Sequence, residues 1–171
     1  MFGIRDADER DGAACAAVYA PYVTDTVTTF EDVPPTPVEM GRRIVAARRA
    51  HAWLVATEDE RVIGYAYGGP HHSRAAYRWS CEVSIYLERG RRRTGAGRRL
   101  YEALFQRLEE RGFRMLLAGI TQPNEASVRF HEAFGFELVG LYRNIGWKHG
   151  GWRDVTWSQL AMGDGPPSEL R

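Results

Sequence analysis

Residues 84–104 read SIYLERGRRRTGAGRRLYEAL, and this stretch does most to decide the fold. Its apolar beginning predicts a β-strand, and the leucines toward its end recur at helical spacing. A loop of arginines and glycines separates the two. The backbone N–H groups at the start of a helix are unpaired and carry partial positive charge, so they bind anions. The stretch therefore predicts a strand, a phosphate-binding turn and a helix.

The composition of the turn fits this interpretation. Gly95 and Gly97 lack a Cβ atom, which lets a phosphate approach the backbone closely. The arginines add charge and forked donors suited to phosphates: Arg91, Arg92, Arg93, Arg98 and Arg99. The pattern matches neither the dinucleotide fingerprint nor a P-loop. On residue types alone, a surface helix start with solvated arginines explains the turn about equally well.

The rest of the chain alternates between strand and helix patterns. A short strand over 4–6 precedes a helix over 13–23, which Pro21 is expected to bend or end. Thr36, Pro37 and Glu39 predict a helix start with a capping box. Further strands are predicted within 51–69 as a hairpin and over 80–87, 113–120, 136–147 and 152–162, with helices over 95–112 and 124–135. This order predicts an α/β fold of the α+β type, with one mixed, mostly antiparallel central sheet flanked by helices.

Length and composition limit the class of protein. The chain has 171 residues, which suits one domain, and we expect that domain over 1–163 with a loose tail over 164–171. The net charge of +1 provides no general attraction to nucleic acid or to a membrane surface. Cys15 and Cys81 are too few for a disulfide framework, and neither a signal peptide nor a long apolar run is apparent. These features predict a cytoplasmic protein.

Two motifs resemble those of the GNAT-superfamily N-acetyltransferases. Arg92-x-x-Gly95-x-Gly97, which opens a helix after a strand, is similar to the pyrophosphate-binding motif of that family. The segment from Asn124 to Phe136 resembles its second CoA motif, except that His131 stands where a tyrosine is usual. The resemblance implies a GNAT fold with splayed central strands and acetyl-CoA as the acetyl donor. His71 and His72 form an adjacent pair, which seldom makes a metal site without further ligands, so no metal is expected. The cofactor-binding residues that it implies are Ile85, Tyr86, Leu87, Arg92, Arg93, Thr94, Gly95, Ala96, Gly97, Arg98 and Asn124.

Other features resemble one branch of this family, which acetylates phosphinothricin, methionine sulfoximine or methionine sulfone. They are Glu82 and His131, the tripeptide Thr29-Phe30-Glu31, and the segments 69–79 and 147–160. The resemblance implies direct attack by the α-amine of an amino-acid-like small molecule, with both substrates bound. It also implies a homodimer, with the 148–154 hairpin at the interface, and a role in herbicide resistance. Herbicide-active members carry a lysine near the position of His72, which leaves the natural acceptor open.

Two side chains are candidates for proton transfer. A protonated amine cannot attack a thioester until it loses a proton, and Glu82 can accept that proton. Strand alternation places Glu82 on one face of the sheet and Cys81 on the other, in the core. His131 is expected to protonate the departing thiolate or to relay the amine proton, and a packed structural histidine is the alternative. A backbone N–H near Ile85 or Tyr86 is expected to polarise the thioester carbonyl.

The acceptor end requires a group that recognises a carboxylate. Arg74 and Tyr77, in the loop before the Glu82 strand, are the best candidates, with Phe30 and Glu31 opposite them. Two other functions remain open at this point. One is acetylation of peptide or protein amino termini. The other is a CoA-binding or nucleic-acid-binding module without chemistry, although a net charge near zero argues against nucleic acid.

Overall fold

The computed structural model describes residues 2–91, 95–163, 165–167 and 169. Its strands are β1 (Phe2–Asp6), β2 (Trp53–Glu58), β3 (Arg61–Pro70), β4 (Ser80–Leu87), β5 (Met115–Thr121), β6 (Glu137–Lys148) and β7 (Gly151–Ala161). Its α-helices are α1 (Gly12–Asp25), α2 (Pro37–Ala50), α3 (Ala96–Glu110) and α4 (Glu125–Glu132). Short 3-10 turns occupy Glu9–Asp11 and Ala75–Tyr77.

All seven strands form one sheet in the order β1-β2-β3-β4-β5-β7-β6. β4 and β5 run parallel, and the other neighbouring pairs are antiparallel. A parallel pair needs a crossover connection, and α3 provides it. The predicted fold class, a mixed and mostly antiparallel sheet with flanking helices, is confirmed. In the described part of the chain, no helix is long and apolar enough to span a membrane.

Helices cover both faces of the sheet. On one face, α3 buries Leu100, Leu104 and Leu108 completely, as their helical spacing predicts. On the other face, α1 and α2 pack a second core that includes Val23 and Ile44. Removing such a side chain from water stabilises the fold by about 1.5–3 kcal/mol, so these faces fix where the helices lie.

The sheet forks at its centre. β4 and β5 pair only from Ser80↔Met115 to Glu82↔Leu117 among the described residues, whereas β4 stays paired with β3 as far as Leu87. From Val83 onward, the β5 side of β4 has no partner strand in the described structure. The splayed central strands that the family resemblance implied are therefore present.

Two local predictions need correction. Of the two effects expected of Pro21, a bend or an end, the second does not occur, because α1 runs on to Asp25. The proline removes one backbone hydrogen bond, but the helix also buries Tyr19 and Val23, and tertiary packing supplies most helical stability in proteins. At the start of α2, the Thr36 hydroxyl accepts a hydrogen bond from the Glu39 N–H, as predicted. The Glu39 carboxylate accepts one from Arg43 instead of completing a capping box.

Candidate active site

Glu82 lies where the sheet divides, since it is the last residue of β4 that pairs with β5 in the described structure. Its side chain is 40% exposed, so the carboxylate is accessible to a ligand. Cys81 faces the opposite side and is completely buried, as alternation predicted. Burial raises the pKa of the Cys81 thiol to about 12, so this side chain cannot serve as a thiolate acyl carrier near neutrality.

His71, at the end of β3, contacts this carboxylate. Its Nδ1 atom lies 2.9 Å from Oε1 of Glu82. The imidazole also meets the rings of Tyr77 and Trp157, with centroids 5.6 and 6.0 Å away. Sequence reasoning treated His71 only as half of a histidine pair, yet the β3–β4 hairpin pairs Gly69 with Glu82 and so brings His71 to the same end of the hairpin.

A cleft follows the free edge of β4 beyond Glu82. Its outer part has a volume of about 630 Å³, and its inner part of about 50 Å³ lies between β4 and β5. Both parts share Thr28, Ile85, Asn124 and Ser127, so the cleft is continuous from the end of β4 to the fork. The unpaired backbone of a strand edge can accept an extended ligand as an added strand. Of the predicted cofactor residues, Ile85, Tyr86, Leu87, Gly97 and Asn124 line this cleft.

The start of α3 has the features of an anion site. Gly95 is the N-cap of the helix with φ +78°, a conformation that residues with a Cβ atom rarely adopt. Among the described residues, an added Cβ would meet nothing within 4 Å. Gly97 packs closely, since a Cβ there would lie 3.3 Å from Leu87. The described residues thus fit a phosphate at the helix start, while the predicted contacts of Arg92, Arg93 and Thr94 lie outside the described residues.

Two of the arginines that were assigned to phosphates have carboxylate partners. Arg91 forms ion pairs with Glu58 and Glu88, both at 2.7 Å. Arg98 lies on the exposed side of α3 and donates to Glu102, one turn later on the same helix, at 2.9 Å. The charge available to a phosphate is therefore smaller than the count of arginines indicates.

His131 is buried in the wall of the inner cleft. Its Nδ1 atom lies 2.8 Å from the carbonyl oxygen of Ser127, which can only accept, so Nδ1 carries the proton. Nε2 then accepts from the hydroxyl of Tyr101 at 3.0 Å. Burial lowers the pKa of His131 despite the bond to Ser127, and this favours the neutral ring. The predicted role as a proton donor to the thiolate remains untested, and this geometry favours a role that acts through Tyr101.

The predicted acceptor residues divide into two groups. Arg74 and Tyr77 lie on the exposed connection between β3 and β4, where the ring of Tyr77 meets His71 edge-on and His72 at a tilt. The guanidinium of Arg74 has no partner among the described residues that would compete with a ligand. By contrast, Arg43 binds the Glu31 carboxylate through two hydrogen bonds of 2.7 and 3.0 Å.

The loop that carries Phe30 and Glu31 is fastened to the β6–β7 hairpin. The ammonium of Lys148, which is 4% exposed, donates to the carbonyl oxygens of Thr29 and Glu31 at 2.7 and 2.9 Å. Phe30 packs over Gly146, where any side chain would collide with its ring. Sequence reasoning assigned Lys148 to an interface and missed this internal bond.

The β6–β7 hairpin exposes two neighbouring tryptophans. Trp147 and Trp152 are 60% and 58% exposed, and their ring centroids lie 5.4 Å apart. Trp157 does not join them. Its ring packs over Gly119 and beside His71, nearer the candidate active site. In the described part of the chain, no three metal-ligating side chains cluster together.

Comparison with known proteins identifies this combination of fold and cleft. The profile of the acetyltransferase (GNAT) domain matches residues 4–157. The chain belongs to the GNAT acetyltransferase family, whose members use acetyl-CoA, and we describe it as an acetyl-CoA-dependent acetyltransferase. This confirms the class, the enzyme type and the cofactor that the motifs implied.

The relatives place the chain more narrowly. It is 37% identical to the phosphinothricin N-acetyltransferase of Streptomyces viridochromogenes over 98% of this chain and 92% of the relative. It is 33% identical to the L-methionine sulfoximine/L-methionine sulfone acetyltransferase of Pseudomonas paraeruginosa, over 93% of this chain and 94% of that relative. A solved structure of a phosphinothricin acetyltransferase from Sinorhizobium meliloti in complex with AcCoA superposes with a TM-score of 0.92 at 36% identity, covering 98% of this chain and 94% of that one.

Proposed function

We propose that this protein transfers the acetyl group of acetyl-CoA to the α-amine of an amino-acid-like small molecule. The acceptor is of the phosphinothricin, methionine sulfoximine or methionine sulfone type, as the names of the relatives suggest. The observation that carries the proposal is the position of Glu82 at the fork of the sheet, between the free edge of β4 and an accessible surface. An acceptor amine beside this carboxylate would lie next to the inner end of the cleft.

Glu82 is the base in this proposal. Acetyl-CoA, when bound in the cleft, supplies a thioester. The ammonium of the acceptor gives one proton to Glu82, and the free amine then forms the nitrogen–carbon bond as the carbon–sulfur bond breaks. The hydrogen bond from His71 holds the carboxylate in one orientation while it accepts the proton. Neither cysteine takes part, since both are buried.

The departing sulfur needs charge stabilisation and a proton. In this proposal a backbone N–H at Ile85 or Tyr86, in the part of β4 that is not paired with β5, polarises the thioester carbonyl. His131 supports the inner cleft by accepting the hydrogen bond of Tyr101, so the hydroxyl of Tyr101 is fixed in the cleft wall. We assign His131 the role of a positioning residue for Tyr101. The attacking nitrogen loses its remaining extra proton as the carbon–sulfur bond breaks, and this proton passes to the departing thiolate, so CoA leaves as the thiol.

The Glu82→Gln variant tests the base. It preserves the shape of the side chain but cannot accept a proton, so we expect kcat to fall about 10²–10⁴-fold. The affinity for acetyl-CoA, measured by calorimetry, should stay within about twofold, because Glu82 acts on the acceptor. Near-normal turnover of the variant between about pH 6 and pH 9 would remove Glu82 from the mechanism.

Arg74 distinguishes free amino acids from the alternative acceptors, which are peptide or protein amino termini. A free amino acid presents a carboxylate next to the amine, and a guanidinium can bind it through two parallel hydrogen bonds. We expect Arg74→Ala to lower kcat/KM for an amino acid by about 10–100-fold and to leave KM for acetyl-CoA unchanged. Esterifying the substrate carboxylate should cause a similar loss in the wild type and little further loss in the variant. If the wild type acetylated the ester and the free amino acid equally well, or preferred peptides, the acceptors would instead be peptide or protein amino termini.

We also propose a homodimer in which the partner subunit covers Trp147 and Trp152. Exposed neighbouring tryptophans on a strand hairpin are a common feature of protein interfaces. Lys148 of this hairpin hydrogen-bonds to the 29–31 loop, so such an interface would lie next to the acceptor end of the site.

A further inference from the structure

A second cavity, separate from the cofactor cleft, lies between α2 and the β2–β3 hairpin. Its volume is about 500 Å³, within the range of small-molecule sites. Its walls are largely apolar and include Met40 and Ala47 from α2 and Trp53, Tyr65, Tyr67 and Gly69 from the strands. The function derived above makes no use of this cavity.

The cavity adjoins Glu82. Gly69, in its wall, is the register partner of Glu82 across the β3–β4 pair, and Tyr67 is the partner of Ser84. Directly paired residues of antiparallel strands project to the same face, so the cavity and the Glu82 carboxylate share one face of the sheet. Among the described residues, a Cβ added at Gly69 would meet nothing within 4 Å, so there is room for part of a ligand beside this residue.

The aromatic part of the wall favours neutral, apolar groups. The rings of Trp53 and Tyr67 are stacked with centroids 4.3 Å apart, and Tyr65 stacks with Trp53 at 5.1 Å and with Tyr67 at 6.2 Å. Such rings contribute large apolar contact areas, and sulfur makes favourable contacts with them. The opposite wall, with Met40 and Ala47 of α2, is also apolar.

The two charged residues in the wall, Arg43 and Glu31, form an ion pair with each other. Arg43 binds both oxygens of Glu31 and also donates to Glu39 at 3.2 Å. Although burial acts to raise the pKa of Glu31, the hydrogen bonds from Arg43 and Tyr19 lower it overall, so Glu31 stays ionised. The cavity thus presents no spare cation to a phosphinate or carboxylate, and an anionic side chain would lose its hydration without compensation.

We infer that this cavity holds the side chain of the acceptor and selects neutral, unbranched or aromatic side chains, such as those of methionine, methionine sulfone and phenylalanine. The inference rests on the proposed function, since it takes the amine to lie beside Glu82. It adds that acceptors with anionic side chains, including phosphinothricin, are poorer substrates than neutral ones of the same length.

The test uses acceptors that share the α-amine and the α-carboxylate: alanine, methionine, methionine sulfone, phenylalanine, glutamate and phosphinothricin. We expect kcat/KM for the three neutral long-chain acceptors to exceed that for alanine, glutamate and phosphinothricin by about tenfold or more. The variant Gly69→Val fills the open space beside Glu82 and should lower the methionine-to-alanine ratio of kcat/KM about tenfold. The control Gly140→Val, on β6 and also without neighbours within 4 Å, should keep the wild-type ratio.

Two results would overturn the inference while leaving the proposed function intact. One is acetylation of all these amino acids without regard to the side chain. The other is a Gly69→Val variant that is folded and affects alanine and methionine equally. Calorimetry of methionine with the CoA-loaded protein tests the cavity without turnover. Binding that Gly69→Val weakens, in the absence of acetylation, would support the cavity and reject the proposed function. Absence of methionine binding would reject the cavity.

Discussion

The imidazole of His71 and the carboxylate of Glu82 form a hydrogen-bonded pair, with 2.9 Å between Nδ1 and Oε1. The pair joins the end of β3 to the residue at which β4 leaves β5. His71 is itself held by the rings of Tyr77 and Trp157, so its orientation is set from the loop before β4 and from β7. The proposed base is thus positioned by three parts of the fold.

His71 should act as a positioning residue for Glu82. We expect His71→Phe to lower kcat/KM for the acceptor about 10–100-fold, since a hydrogen bond to a charged group contributes about 1.5–3 kcal/mol. His71→Asn should recover much of this loss, because its amide nitrogen can occupy the position of Nδ1. The KM for acetyl-CoA should not change in either variant.

The neighbouring histidine provides a matched control for this experiment. His72 contacts the ring of Tyr77 at 4.9 Å and has no hydrogen bond to Glu82 in the described structure, so His72→Phe should affect turnover little. Loss of activity in the Asn variant equal to that in the Phe variant would show that ring packing, rather than the hydrogen bond, is what matters.

Substitution of Gly95 should weaken cofactor binding. In Gly95→Val a branched side chain would occupy the open space at the start of α3, where we place the pyrophosphate, so the Kd for CoA should rise about tenfold or more. The positive φ makes any substitution here cost about 1–2 kcal/mol of stability. Gly150→Val is the control. Gly150 also has a positive φ, +70°, and an added Cβ there would meet none of the described residues within 4 Å, so the variant has a similar backbone cost but lies away from the cleft. Equal CoA affinities of the two folded variants, by calorimetry, would refute the phosphate site.

The pH dependence of stability should report on His131. Burial lowers its pKa below 6.5, so the folded protein takes up this proton less readily than the unfolded chain. The associated stability is present above pH 6.5 and is lost as the pH falls through the lowered pKa. Melting temperatures at about pH 7.5 and about pH 5.5 should therefore differ more for the wild type than for His131→Phe.

Comparing the two pH values within each protein separates this effect from others. His51 is also buried with a lowered pKa, but it contributes equally to both proteins and cancels. His149→Gln, which alters an exposed histidine, should retain the full wild-type difference. If His131→Phe also retains it, the histidine is not held neutral by burial.

The proposed dimer should depend on the two exposed tryptophans of the hairpin. We expect a dimeric mass by sedimentation at micromolar concentration and a shift toward monomer in a Trp147→Ser, Trp152→Ser double variant. Val38→Ser, at a residue of α2 that is 65% exposed, should remain dimeric. A monomeric wild type would disprove the dimer without affecting the assignment of Glu82.

The sequence predicted the fold well where the signal was local. The leucines of α3, the cap at Thr36 and the apolar run of β5 each depend on a short stretch of chain, and all three elements formed as expected. The partners of charged side chains were harder to predict. Arg91 pairs with Glu58, and Arg43 with Glu31, and no local pattern connects these residues.

The candidate site shows the same limit. Glu82 was found through a family resemblance and by strand alternation, but its contact with His71 depends on the register of the β3–β4 pair. Counting residues outward from the loop between β3 and β4 could have indicated that His71 and Glu82 lie close together. The apolar cavity could not have been found in this way, because its walls come from α2 and from two strands whose packing is set by the tertiary fold.

The fork after Glu82 has a consequence for the whole molecule. Three register positions of hydrogen bonding connect one half of the sheet, β1–β4, to the other half, β5–β7. Beyond them, the backbone groups on the free edge of β4 must find partners in water or in a ligand. A cofactor that occupies the cleft therefore bridges two halves of the sheet whose strands, in the described structure, pair with each other only at these three positions. Acetyl-CoA should raise the melting temperature, and amide exchange along β4 and β5 should slow most when it binds.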